Sequence, residues 1–150
     1  MIRSSLSILA LTTLTACGGQ ADAPAPDADG ALTSEDGLKL VPIANTLEFP
    51  WGMAALPNGD LLVTEREGRL RLIKDDALVE APLTGLPDDI LVQGQGGLLG
   101  ITLDPSFDTN RTLYLSYSKD MGDTNTTAVI SATLNEDVSW ISDVTEIFLG

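Results

Sequence analysis

Two stretches of this sequence repeat one another, and the repeat narrows the folds open to it. Gly52-Met-Ala-Ala-Leu-Pro is matched by Gly100-Ile-Thr-Leu-Asp-Pro, 48 residues further on. Each heads a series of short strand-like runs separated by turn signals. In the first series WGMAALP leads into Asn58-Gly59, a pair that tolerates positive φ at both turn positions. DLLVTER returns and Glu67-Gly68 turns again. RLRLIKDD then sets Leu70 and Leu72 on one face and Arg69 and Arg71 on the other, and ALVEAPL is a weak fourth strand. The second series runs GLLGITLDP, a turn at SFDTN, RTLYLSYS, the polar loop KDMGDTNT, TAVISATLN and a last run near VTEIFLG. Long helical periodicity is absent. The fold class is therefore all-β. Units of about four antiparallel strands in about 40–50 residues are what β-propeller blades look like from sequence. A β-sandwich is the competitor, and the repeat favours blades.

A propeller closes with about four to eight blades, and Val41 to Gly150 supplies two. Two blades leave raw sheet edges on both sides, which invites aggregation. The expectation is that these residues are the N-terminal part of a longer protein. A complete small β-domain is the alternative.

The charge balance excludes some partners. The 150 residues carry a net charge of −14 and have a pI of about 4.1. Such a surface repels phosphate backbones, so nucleic acid is not an expected partner. There is no histidine, which removes the commonest general base and the commonest metal ligand. A Ser-His-Asp triad is excluded with it.

The first residues read as an address. MIRSS carries Arg3, LSILALTTLT is apolar but too short to span a bilayer, and LTAC ends in Cys17, the single cysteine. This resembles a bacterial lipoprotein signal, which implies cleavage after residue 16 and acylation of Cys17. An ordinary secretory signal with an incidental cysteine is the alternative. Gly18 after the cysteine implies the periplasmic side of the outer membrane, with the lipid as membrane anchor. Residues 17–37, GGQADAPAPDADGALTSEDG after the cysteine, are too poor in large apolar side chains to fold and read as a flexible tether. The domain proper is expected to span residues 38–150.

The densest glycine cluster lies in LVQGQGGLLGITLDPSF, residues 91–107, where Gly94, Gly96, Gly97 and Gly100 fall within seven positions. A dinucleotide loop needs G-x-G-x-x-G opening a helix. Here the third glycine of that spacing falls one position late and GITL follows as a strand, so that site is rejected. No G-K-[ST] or G-x-S-x-G is present.

Taken in order, PWGMA, LLVTEREGRLR, GQGGLLG and the DPSF turn resemble the soluble pyrroloquinoline quinone (PQQ)-dependent aldose dehydrogenases, the glucose/sorbosone dehydrogenase family. The resemblance implies a six-bladed β-propeller in the parent protein, of which this chain supplies about the first two blades. It implies PQQ and Ca²⁺ as cofactors, an aldose sugar as substrate, hydride transfer from C1 to the quinone, and onward passage of electrons to an unidentified acceptor. It places the glutamine of the Gly-Gln-x-Gly-Leu-Leu motif, Gln95, at the mouth of the active site in contact with sugar. An amide suits a polyol because it donates and accepts without charge. The alternative is that Gln95 only caps a tight inter-blade turn.

The resemblance puts the catalytic histidine and the PQQ-binding cations outside these residues. No catalytic, cofactor-binding or metal-binding residue is therefore assigned, and the chain alone is expected to be inactive. Glu65 and Arg66 in VTER read as an ion pair or hydrogen bond within a blade. Asp104, Asp108 and Asn110 read as turn chemistry rather than a calcium loop. Trp51 and Tyr114 read as packing residues. The runner-up function is a non-catalytic propeller lipoprotein that binds or scaffolds, and a calcium-dependent propeller hydrolase comes third.

Overall fold

The computed structural model describes residues 32–33, 37–44 and 46–150. The signal segment, Cys17 and the tether up to residue 31 lie outside the described residues. Contacts divide the chain into two units, Met1–Val41 and Pro42–Gly150. In the first, β1 (Leu32–Thr33) pairs antiparallel with β2 (Lys39–Leu40). The last residues of the predicted tether thus carry a short strand.

The second unit holds two four-stranded antiparallel sheets. Blade 1 has the order β3 (Pro50–Ala55), β4 (Leu61–Glu65), β5 (Arg69–Lys74), β6 (Ala77–Leu78). Blade 2 has the order β7 (Leu98–Leu103), β8 (Thr112–Asp120), β9 (Asn125–Leu134), β10 (Ile141–Leu149). Consecutive strands are neighbours throughout, as in a meander, and the two sheets are successive propeller blades.

The predicted turns form as the residues dictate. At Asn58-Gly59 the hairpin closes through Leu56 N–H on the Asp60 carbonyl at 2.8 Å. SFDTN becomes one helical turn, α1 (Phe107–Asn110), ended by Arg111 in the left-handed region at φ 53°. Two expectations change. The fourth strand of blade 1 pairs for two residues only. Pro82 has no N–H to give a ladder, and contact resumes at Leu83, which bridges to Leu70. Thr84 then pairs with Trp140 of blade 2, so the outer strand hands over from one sheet to the next. Half of the polar loop KDMGDTNT is strand. The β8–β9 ladder runs out to Asp120 opposite Asn125, leaving Met121–Thr124 as the turn.

The blades stack through one shared core. Leu62, Leu70 and Leu72 of blade 1 pack with Leu98, Leu113, Leu115, Tyr117 and Ile130 of blade 2. Strict alternation in β8 and β9 puts Leu113, Leu115, Tyr117, Ala128, Ile130, Ala132 and Leu134 on that buried face. Each large apolar side chain so buried contributes about 1.5–3 kcal/mol.

The repeat in sequence is also a repeat in hydrogen bonding. The register slips between Pro50 and Gly52 in β3 and between Leu98 and Ile101 in β7. At each slip a glycine N–H turns to a hydroxyl on the next strand, Gly52 to Thr64 Oγ1 and Gly100 to Ser116 Oγ, both at 2.9 Å.

Candidate functional site

Loops from both blades meet at one end of the sheets: the Arg66–Gly68 turn, the connection from blade 1 into Leu98, and the Met121–Thr124 turn. Gln95 lies on the connection. Its amide is exposed and makes no hydrogen bond to another described residue. The turn that carries it closes through Gly96 N–H on the Gln93 carbonyl at 2.8 Å, with Gly94 at φ 59°. Glycine at the first central position suits this geometry.

The flanks of the turn are fixed. On the blade 2 side Leu91 N–H donates to the Ser118 carbonyl at 2.8 Å, and Ser118 N–H donates to the Gly97 carbonyl at 2.9 Å. Asp120 N–H donates to the Asp89 carbonyl at 2.8 Å. Lys119 Nζ lies 3.2 Å from Asp89 and 2.6 Å from Glu146, and these bonds raise its pKa. Tyr117 beneath them is pushed up to about 12, by burial first and then by the neighbouring Asp89 carboxylate. On the blade 1 side Leu98 N–H donates to the Arg66 carbonyl at 3.1 Å, and Arg66 Nη1 donates to the Gly94 carbonyl at 2.8 Å. A hydrogen-bonded frame therefore presents the exposed side-chain amides of Gln93 and Gln95, neither of which bonds another described residue.

VTER divides into two roles. Glu65, fully buried, stays within its blade: Oε2 accepts from Arg69 Nε at 2.5 Å and Arg71 Nη1 at 3.2 Å, and Oε1 from the Glu48 N–H at 2.6 Å. Burial would raise its pKa, but the bonds from Arg69, Glu48 and Arg71 together hold it below the ordinary value. Arg66, read from sequence as an intra-blade partner, keeps a 3.5 Å contact with Glu67 in its own blade and also reaches across to the loop that leads into blade 2. That bond joins positions 28 residues apart, so no local pattern marks it.

The remaining sequence candidates fall elsewhere. Asp104 Oδ1 accepts from the Ser106 N–H and from Asn110 Nδ2, and Oδ2 accepts from Tyr114 OH at 2.6 Å. These bonds build the turn before β8, at the end of the blades opposite Gln95. Asp108 takes no part in them; it lines a cleft of about 180 Å³ with Leu56, Phe107 and Arg111 at that same end. Trp51 and Met53 on β3 are 55% and 63% exposed, so Trp51 is not packed within the described residues.

The described residues do not by themselves fit the implied cofactors. The three carboxylates of PQQ need cations, and those of this end are engaged: Arg66 by Gly94, Arg69 by Glu48 and Glu65, Lys119 by Asp89 and Glu146. Among the described residues no three acidic, histidine or cysteine side chains gather into a metal-binding group.

Comparison with known proteins places this geometry. Residues 47–150 match the family Glucose / Sorbosone dehydrogenase. The chain is 39% identical over 109 residues to the aldose sugar dehydrogenase YliI of Escherichia coli, covering 71% of this chain and 29% of that protein. The crystal structure of the soluble aldose sugar dehydrogenase from Escherichia coli in its apo-form superposes with a TM-score of 0.64 at 40% identity, over 69% of this chain and 30% of that one. The PQQ-bound aldose sugar dehydrogenase from Streptomyces coelicolor gives a TM-score of 0.65 at 27% identity, over 74% and 33%. The chain thus spans about a third or less of the length of these relatives.

Proposed function

Because the chain belongs to the glucose/sorbosone dehydrogenase family, we propose that the protein carrying it oxidises aldose sugars with PQQ as the hydride acceptor. The observation that carries this reading is the position of Gln95. The motif that would touch sugar is a free amide on a clamped turn, at the end where loops of both blades converge.

Gln95 Oε1 accepts from one sugar hydroxyl while Nε2 donates to the oxygen of its neighbour, which orients the ring without adding charge to an acidic surface. PQQ, when bound, supplies the electron sink. The hydroxyl proton needs a base, and this chain has no histidine to serve. We place the base, the calcium ion and the cations for PQQ in further blades of a longer protein. One feature supports further blades. The face of β7 and β8 bearing Gly100, Tyr114 and Ser116 is equivalent to the blade 1 face that receives β7, and it holds an open hollow of about 220 Å³. We further propose that Cys17 carries a lipid that anchors the protein to the periplasmic side of the outer membrane, and that electrons leave to a separate acceptor.

The test is reconstitution of the full-length protein with PQQ and Ca²⁺, followed by dye reduction with a panel of aldoses. Turnover is expected, with Gln95→Ala raising KM or changing the order of preferred sugars. Absence of turnover with every sugar favours the binding-module reading, and an unchanged sugar profile in Gln95→Ala returns that residue to a turn cap.

A further inference from the structure

We propose that Arg66 is the positioning residue for the Gln95 turn: its guanidinium sets where the Gln95 amide stands without itself touching sugar. The proposal rests on the reading of Gln95 as the sugar contact and goes beyond it by naming what aims that amide.

The tip of the turn is otherwise weakly held. Its own Gly96-to-Gln93 bond closes it, and the backbone bonds at Leu91, Ser118 and Leu98 fix its flanks. Among the described residues, the one side-chain hydrogen bond to the tip is from Arg66 Nη1 to the Gly94 carbonyl at 2.8 Å. That oxygen belongs to the peptide whose nitrogen is Gln95. The peptide is planar, so fixing its oxygen fixes the direction in which the Gln95 Cα departs.

Arg66 is in turn anchored from behind. Its guanidinium carbon stands 4.6 Å from the centre of the Phe49 ring. Its N–H donates to the Phe49 carbonyl at 3.0 Å. On the other side its carbonyl accepts from Leu98 N–H, and a β-carbon at residue 97 would lie 1.9 Å from that carbonyl oxygen. Gly97 therefore lets the blade 2 loop sit directly on the Arg66 backbone. The contact with Glu67, at 3.5 Å and partly exposed, is weak by comparison. A planar guanidinium can stack on Phe49 and donate to Gly94 together; the ammonium of lysine offers only a point donor.

The experiment uses the full-length protein with Arg66→Ala, Arg66→Lys, Gln95→Ala and the Arg66→Ala/Gln95→Ala double variant. Hydrogen exchange is followed at the amides of residues 94–98 without cofactor, and KM and kcat are followed with PQQ and an aldose. Arg66→Ala is expected to speed exchange at the turn about tenfold or more, while the β8–β9 amides keep their protection. It is also expected to raise KM about tenfold with kcat within about twofold, with Arg66→Lys intermediate. In the Gln95→Ala background it should add nothing. Unchanged exchange at the turn overturns the proposal, as do additive effects of the two substitutions on KM. If Gln95→Ala raises KM while Arg66→Ala changes neither exchange nor KM, the Arg66 role fails alone and the Gln95 reading stands. If Gln95→Ala leaves KM unchanged, the Gln95 reading fails. Faster exchange at the turn in Arg66→Ala then still supports positioning, and unchanged exchange overturns it.

Discussion

The hydroxyl of Thr64, buried on β4 of the first blade, donates a 2.5 Å hydrogen bond to the Leu99 carbonyl on β7 of the second. The same oxygen accepts from the Gly52 N–H at 2.9 Å. One side chain thus closes a bulge in its own sheet and fastens the next sheet to it. A β-carbon on Gly52 would meet the Leu99 carbonyl at 3.0 Å, so the two inner strands lie close against one another.

Thr64→Val keeps the shape and removes both bonds, leaving the Gly52 N–H and the Leu99 carbonyl without partners. A loss of about 2–4 kcal/mol is expected, because each orphaned buried group costs about 1–3 kcal/mol. Thr64→Ser keeps the hydroxyl and should lose about 1 kcal/mol through the missing methyl. Urea denaturation of the two variants checks the order; equal losses would show that the hydroxyl does not join the blades.

Glu65 makes stability depend on acid. Its pKa is held below the ordinary value of 4.5, so its contribution is complete above 4.5 and disappears as pH falls through the lower folded value. Glu65→Gln removes the charge that Arg69 and Arg71 share, while Arg69 keeps Glu48 and Arg71 keeps the Val79 and Glu80 carbonyls. It should cost about 1.5–3 kcal/mol at neutral pH, the range for hydrogen bonds to a charged group. The stabilities of wild type and variant, measured across pH, should converge in acid. A gap that stays constant would mean that the carboxylate charge is not what stabilises.

Both tyrosines of the chain are shifted upward from the ordinary value of 10.0. Tyr114 is raised chiefly by its bond to Asp104, and Tyr117 is pushed to about 12 by burial and then by Asp89. Tyrosinate absorbance should therefore be small at pH 10 in the folded chain and appear on unfolding. The folded form keeps the Tyr117 proton longer than the unfolded form does. The stability this reflects is present below pH 10.0 and is lost as pH rises toward about 12. Half-ionisation of both rings near pH 10 in the folded chain would contradict the burial of Tyr117.

Two glycines of one motif should respond differently. Gly94 has φ 59° with nothing within 4 Å of an added β-carbon, so Gly94→Ala should cost about 1–2 kcal/mol, the left-handed penalty alone. Gly97 combines φ 146° with a carbonyl 1.9 Å from the added carbon. Gly97→Ala should cost about 3 kcal/mol or more, because overpacking of about 1–3 kcal/mol adds to the conformational penalty. Thermal midpoints of the pair check this, and equal shifts would argue against the close seat on Arg66.

Where the signal was local, the sequence disclosed the fold. Asn58-Gly59 specifies its own hairpin, and the matched runs at Gly52 and Gly100 head equivalent series of strands. Where contacts are distant, it did not. Pro82 interrupts the fourth strand, yet nothing in ALVEAPL foretells the handover through Thr84 to Trp140. The polar residues of KDMGDTNT read as loop, and the neighbouring ladder draws Lys119, Asp120 and Asn125 into strands. The motif singled out Gln95, and the structure places it on an exposed turn between the blades. The clamps on either side of it, Arg66 to Gly94 and Lys119 to Asp89, join residues that only the stacking of two blades brings together.

The central claim is that this chain forms part of a sugar-oxidising face. It is tested most directly by mixing the full-length protein, reconstituted with PQQ and Ca²⁺, with stoichiometric aldose in the absence of oxygen and any other acceptor. The account predicts that the absorbance of the oxidised cofactor is lost on adding sugar, and that Gln95→Ala needs more sugar to reach the same rate of loss. An oxidised spectrum that persists with every aldose would contradict it.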